Sequence, residues 1–166
     1  PFLSKKIFFF IILFAVPVGF IGAYLPGLYS YYPYSRTLLS IIAGRSFAFF
    51  FLHVFLYLVL YYLPWELFFR GFLIFPFIRL FDSGQVDRDG LPNTFLAIIV
   101  SFQAVLSTLL HFGHPLSETL AALPFGLFLG YLALKTGSIL PGLLIHSVFG
   151  IALDFFIVIR QMGVLP

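Results

Sequence analysis

Long apolar segments, separated by short polar or Pro- and Gly-rich connections, make up most of this chain of 166 residues. A helix needs about 20 mostly apolar residues to cross a bilayer, because the hydrocarbon core is about 30 Å thick and each residue rises 1.5 Å. The pattern predicts an all-α, polytopic transmembrane helical bundle. We expect about five spans, and we place them at residues 7–24, 46–81, 94–111, 118–134 and 139–160.

The second apolar segment, residues 46–81, is too long for one untilted crossing. Pro64 lies within it and removes a backbone hydrogen-bond donor, so we predict a long helix that is kinked near Pro64. The polar stretch at residues 82–93, DSGQVDRDGLPN, has the composition of a solvent loop. Since no polar linker divides the chain further, we predict one membrane-embedded domain over residues 1–166, with its last three spans in residues 94–160.

The composition supports a membrane environment. Hydrophobic residues make up 61% of the chain and charged residues only 9%, whereas a soluble domain carries roughly a quarter of its residues as charged side chains. The basic residues sit mostly at the ends of apolar runs, which is typical of membrane anchoring. We therefore expect a lipid bilayer and no nucleic acid as a partner. The absence of cysteine excludes disulfides and thiolate metal sites.

Ionisable residues within the apolar segments are the candidates for chemistry. A charged side chain at the centre of a spanning helix costs about 2.5–3.5 kcal/mol on insertion scales, so those that are retained usually form pairs, line a wet cavity or act in function. The candidates are Glu66, Arg70, His111, His114, Glu118, His146 and Asp154.

Glu66 and Arg70 are four residues apart, so on a helix they share a face and can form an ion pair. Such a pair can simply hold helices together. It can also keep Glu66 ionised and oriented as a general base. The spacing favours neither interpretation over the other.

The histidines differ in their surroundings. His111 closes the third predicted span, whereas we interpret His114 as a polar residue at the interface and Glu118 as a first-turn residue favoured by the helix dipole. His146 has apolar residues on both sides, and Asp154 follows eight residues later, about 80° around a helix. A buried hydrogen bond to another helix and a role in chemistry are both open for His146.

A glutamate and histidines in one bundle suggest two chemistries. In the first, the glutamate activates a water that attacks an amide carbonyl while histidine donates hydrogen bonds, and no cofactor is required. In the second, Zn²⁺ makes a bound water more acidic, and its ligands would be Glu66, His111 and His146. The HExxH zinc motif is absent from the chain.

Three patches give the chain a family resemblance. They are WELFFRG at residues 65–71, LLHFGHP at 109–115 and GYLALKTGSILPGLLIH at 130–146. In this order they resemble the CPBP family of intramembrane proteases, which comprises CAAX proteases and bacteriocin-processing enzymes, and the resemblance covers residues 46–155. It implies a membrane-embedded endopeptidase that acts on a protein or peptide with a membrane segment. The WExFFRG form is similar to a bacterial branch, which implies a multi-pass protein of the bacterial cytoplasmic membrane.

The resemblance also assigns roles to residues. It implies Glu66 as water activator or its partner, Arg70 as an orienting cation, His111 as a second holder of the water and His146 as a donor to the oxyanion or the water. Asp154, Glu118 and His114 are secondary candidates.

Two positions depart from the family pattern. Trp65 stands where the family has a first glutamate, generally taken as the base, and Gly150 stands where it commonly has asparagine. A non-catalytic membrane scaffold or protection factor is therefore the alternative function, and a transporter is a further one.

Overall fold

Helices form the regular structure of the residues that the structure, a computed structural model, describes: 5–33, 37, 40–42, 47–80 and 94–166. We label the principal ones in chain order as α1 Lys5–Gly22, α2 Pro26–Tyr31, α3 at residues 48–80, α4 Thr94–Leu109, α5 Leu116–Thr136 and α6 Leu140–Gln161. The predicted all-α architecture is confirmed. The predicted solvent loop at 82–93 lies outside the described residues.

Helices α3, α5 and α6 contain segments that are long and apolar enough to cross a membrane. Apolar helices are also present in α1 and α4, so each predicted span corresponds to a helix in the described part of the chain. Large apolar side chains are well exposed along them, for example Phe51 at 68%, Leu60 at 70% and Leu120 at 67%. Such exposure is unfavourable in water and suits contact with lipid, which confirms a polytopic membrane protein.

Helix α3 changes its winding on both sides of Pro64. The π-helical turns Leu58–Tyr62 and Leu67–Phe72 flank a short α-helical segment, Leu63–Glu66. Pro64 has no N–H to donate to the carbonyl four residues earlier, and a wider turn accommodates that loss without ending the helix. The irregularity predicted at Pro64 is thus a change of helical winding, and Glu66 lies between the two π-helical turns.

The chain divides into two compact units, which we call the first unit (residues 1–62 and 144–166) and the second unit (residues 63–143). Each has apolar clusters of its own. Those of the first unit are built around Ala23, Leu28, Tyr32 and Ile157, and around Ile42, Phe50 and Val158. A cluster of the second unit is built around Ile74, Ile99 and Val100. The single membrane-embedded domain stays a prediction.

Close packing of α4 against α5 organises the second unit. The buried side chain of Gln103 on α4 donates its amide N–H groups to the carbonyl oxygens of Val100, at 3.0 Å, and Gly126, at 2.8 Å. Gly130 lies one turn beyond Gly126, and a Cβ there would be 2.6 Å from Nε2 of Gln103. Small residues at this spacing let two membrane helices approach closely.

Substituting Gly130 with alanine should destabilise the second unit by about 1–3 kcal/mol, because the added methyl group overlaps Gln103 and the packed helices must separate. The measurement is the midpoint of thermal unfolding of the purified protein in detergent. Gly71→Ala is the matched control, since the nearest atom to its Cβ is 3.9 Å away. Equal midpoints for Gly130→Ala and the wild type would contradict the prediction.

Candidate active site

The second unit contains a buried ion pair in α3. Nη1 of Arg70 donates to Oε1 of Glu66 at 3.0 Å, and neither side chain is more than 2% exposed. The guanidinium carbon of Arg70 also lies 5.9 Å from the ring centroid of Phe69. The structure thus contains the ion pair that the spacing predicted, and the pair neutralises two charges inside a spanning helix.

The other carboxylate oxygen of Glu66 faces the beginning of α6. A Cβ added at Gly142, in the first turn of that helix, would lie 3.1 Å from Oε2 of Glu66. Negative charge is favoured at a helix N-terminus by the dipole of the peptide groups. The glycine therefore lets the carboxylate approach the backbone at a place where its charge is favoured.

His111 follows α4 directly, and its ring orientation is fixed by the backbone. Its Nδ1 lies 2.7 Å from the carbonyl oxygen of Ser107. A carbonyl oxygen only accepts, so Nδ1 carries the hydrogen, and in the neutral ring Nε2 is the acceptor. The ring of Trp65 packs against His111 edge to face, with centroids 5.5 Å apart. A histidine held in this way presents Nε2 as a base.

Glu118 and His114 join His111 at the connection between α4 and α5. Oε1 of Glu118 lies 3.1 Å from Nδ1 of His114 and 3.8 Å from Nε2 of His111. The turn between the histidines uses Gly113 with a φ of 98°, which glycine adopts readily. The hydroxyl of Thr119 donates to the carbonyl of His111 at 2.9 Å. Three of the candidate residues are therefore in one cluster, including two that sequence interpretation treated as a polar end and a first-turn residue.

The first unit contains His146 and Asp154. The ring of His146 packs edge to face on that of Tyr62, with centroids 5.1 Å apart. Oδ2 of Asp154 accepts a hydrogen bond from Nε2 of His53 at 2.8 Å. His53 was not among the residues predicted from the sequence, although its place within the apolar run FLHVF was a signal for it. Asp154, expected near His146, is thus bonded to a histidine of α3.

Tyr62 also explains the glycine at position 150. A Cβ at Gly150 would overlap the hydroxyl oxygen of Tyr62, whose side chain is buried. Position 150 therefore has no room for an asparagine side chain unless Tyr62 moves. Tyr62 was also missed from the sequence, where it is one of several tyrosines in an apolar segment.

The zinc alternative stays a prediction. No three His, Asp or Glu side chains in the described part of the chain are arranged to hold one metal ion. We therefore derive no step through zinc. The convergence of Glu66, His111 and His146 on one water stays a prediction.

The fold and these buried residues define an integral membrane protein that carries glutamate, arginine and histidine side chains inside apolar helices. Residues 46–152 match the family of Type II CAAX prenyl endopeptidase Rce1-like proteins. The match covers more than half of the chain, so the chain belongs to this family of membrane endopeptidases, and the CPBP resemblance is confirmed. No curated protein and no solved structure matches the chain.

Glu66→Gln should destabilise the protein by about 3–5 kcal/mol, because it leaves the buried charge of Arg70 without its counter-charge. The double variant Glu66→Gln/Arg70→Met removes both charges and should recover most of that loss. Thermal unfolding midpoints in lipid nanodiscs measure both effects. If the double variant is no more stable than Glu66→Gln alone, the pair does not stabilise the helix in this way.

Proposed function

We propose that this protein is an intramembrane endopeptidase in which a water activated by glutamate and histidine hydrolyses a peptide bond near the membrane face. Its substrate would be a protein or peptide with a membrane segment of its own. The observation that supports this most is the state of His111. Its Nδ1 is bound to the carbonyl of Ser107, and its Nε2 faces the carboxylate of Glu118.

The proposed reaction needs a base, an oriented carboxylate and a donor for the oxyanion. His111 and a carboxylate hold the attacking water. Glu66 enters the proposal together with Arg70, because the guanidinium binds that carboxylate and orients it as water activator or as the activator's partner. His146 is proposed as the donor to the oxyanion or the water. This chemistry requires no cofactor.

We also propose the cytoplasmic membrane of a bacterium as the location. The support is the WExFFRG form of the first motif and the apolar helices that suit a bilayer.

A non-catalytic scaffold is the second candidate function, and Trp65 is the observation that favours it. An indole has no carboxylate with which to activate water, and its ring packs against His111. A scaffold would keep the helices and their packing while cleaving no peptide.

His111→Asn distinguishes these functions, because asparagine retains an N–H donor for the carbonyl of Ser107 and removes Nε2. We expect kcat/KM to fall by about 100-fold or more, as for loss of a general base. The measurement is cleavage of a library of membrane-tethered peptides by the protein in liposomes. Leu110→Ala, at a neighbouring exposed side chain, is the matched control and should keep wild-type activity.

Two further results bear on the same experiment. Cleavage that persists in EDTA supports glutamate and histidine chemistry, whereas cleavage lost in EDTA and restored by Zn²⁺ would make the protein a zinc peptidase. If the wild type cleaves no member of the library, or His111→Asn cleaves as fast as the wild type, the proposed mechanism fails.

A further inference from the structure

We propose that Glu118 is the catalytic carboxylate of this peptidase, and that it holds and deprotonates the attacking water together with Nε2 of His111. This inference rests on the proposed function and specifies which of its carboxylates acts on the water. The sequence alone favoured a structural role for Glu118, as a first-turn residue stabilised by the helix dipole.

Nε2 of His111 and Oε1 of Glu118 face each other. Because Nδ1 of His111 donates to the carbonyl of Ser107, Nε2 is the acceptor of the neutral ring. Oε1 of Glu118, also an acceptor, lies 3.8 Å away, which is longer than a direct hydrogen bond. Two acceptors at such a separation are well served by a water that donates one hydrogen to each. A water held in this way directs its lone pairs away from both bases, toward an incoming carbonyl carbon.

Glu118 is more exposed than Glu66. The side chain of Glu118 is 22% exposed and that of His111 is 10% exposed. Glu66 is fully buried and its carboxylate accepts a hydrogen bond from Arg70. Of these two glutamates, Glu118 is therefore the more accessible to a water molecule.

Hydrogen bonds hold both Glu118 and His111 in place. Nδ1 of His114 lies 3.1 Å from Oε1 of Glu118 and donates to it, so His114 acts as a positioning residue for that carboxylate. The hydroxyl of Thr119 binds the carbonyl of His111, which joins His111 to the first turn of α5. The imidazole of His111 and the carboxylate of Glu118 are thus held by one short connection, as a preorganised site requires.

The reaction balances without a further reactant. One proton of the water passes to the carboxylate of Glu118 as the water oxygen bonds to the peptide carbonyl carbon and the C=O electron pair moves to oxygen. The C–N bond then breaks as the carbonyl re-forms, and the leaving nitrogen takes the proton from Glu118. The products are a carboxyl group and an amine, and Glu118 is again a carboxylate.

Glu118→Gln should lower kcat by about 100-fold or more, with KM within about twofold of the wild type, because glutamine keeps the shape and loses the base. Ser117→Ala, one residue away and exposed, is the matched control and should keep wild-type kcat. Glu118→Ala provides the sharper test. Formate added to that variant should restore part of kcat, since a small carboxylate can occupy the vacated place, whereas His111→Asn should not respond to formate.

Wild-type kcat in Glu118→Gln would overturn this inference and leave the proposed peptidase intact. Folded Glu118→Ala that gains nothing from formate, or failure of both variants to fold, would assign Glu118 a structural role and overturn it as well. A wild type that cleaves no peptide refutes the proposed function itself, which separates the two failures.

The positioning role of His114 has its own measurement. His114→Ala should lower kcat while leaving KM unchanged, because the carboxylate of Glu118 loses the donor that orients it. His114→Asn supplies an amide donor near the place of Nδ1 and should recover part of that loss. Equal kcat for His114→Ala and the wild type would contradict the role.

Discussion

A charge buried within a membrane helix is costly, and Glu66 and Arg70 reduce that cost by forming an ion pair in the second unit. Several local features surround this pair. The short α-helical segment that ends at Glu66 lies between two π-helical turns, and Arg70 lies in the second of them. Gly142 leaves room for the carboxylate beside the first turn of α6. The carboxylate of Glu66 therefore lies beside the beginning of another helix.

Glu66 and Glu118 occupy different environments. Glu66 is fully buried, and its carboxylate accepts a hydrogen bond from the guanidinium of Arg70. Glu118 is partly exposed and its neighbours are imidazole rings, which can exchange protons. Two carboxylates with contrasting surroundings in one protein commonly have contrasting roles. The inference about Glu118 follows from this contrast.

Much of the fold could be predicted because the apolar pattern has the length that a bilayer imposes, and the ion pair could be predicted because a helix brings residues four apart together. The remaining contacts depend on residues that are distant in the sequence. The bond between His53 and Asp154 spans 101 positions. The approach of Glu118 to His111 depends on a turn at Gly113 whose φ is positive. Neither contact follows from the helical repeat. The sequence pattern therefore assigned these residues to helices but could not show which of them are in contact.

The two departures from the family pattern have packing reasons within their own units. At position 65 an indole packs on one side of His111, while the carboxylate of Glu118 faces Nε2 of the same ring. At position 150 the hydroxyl of Tyr62 occupies the space that a side chain would need. A large side chain therefore stands at position 65, and a large neighbour occupies the space beside position 150. With Glu118 proposed as the catalytic carboxylate, a tryptophan at position 65 is compatible with hydrolysis.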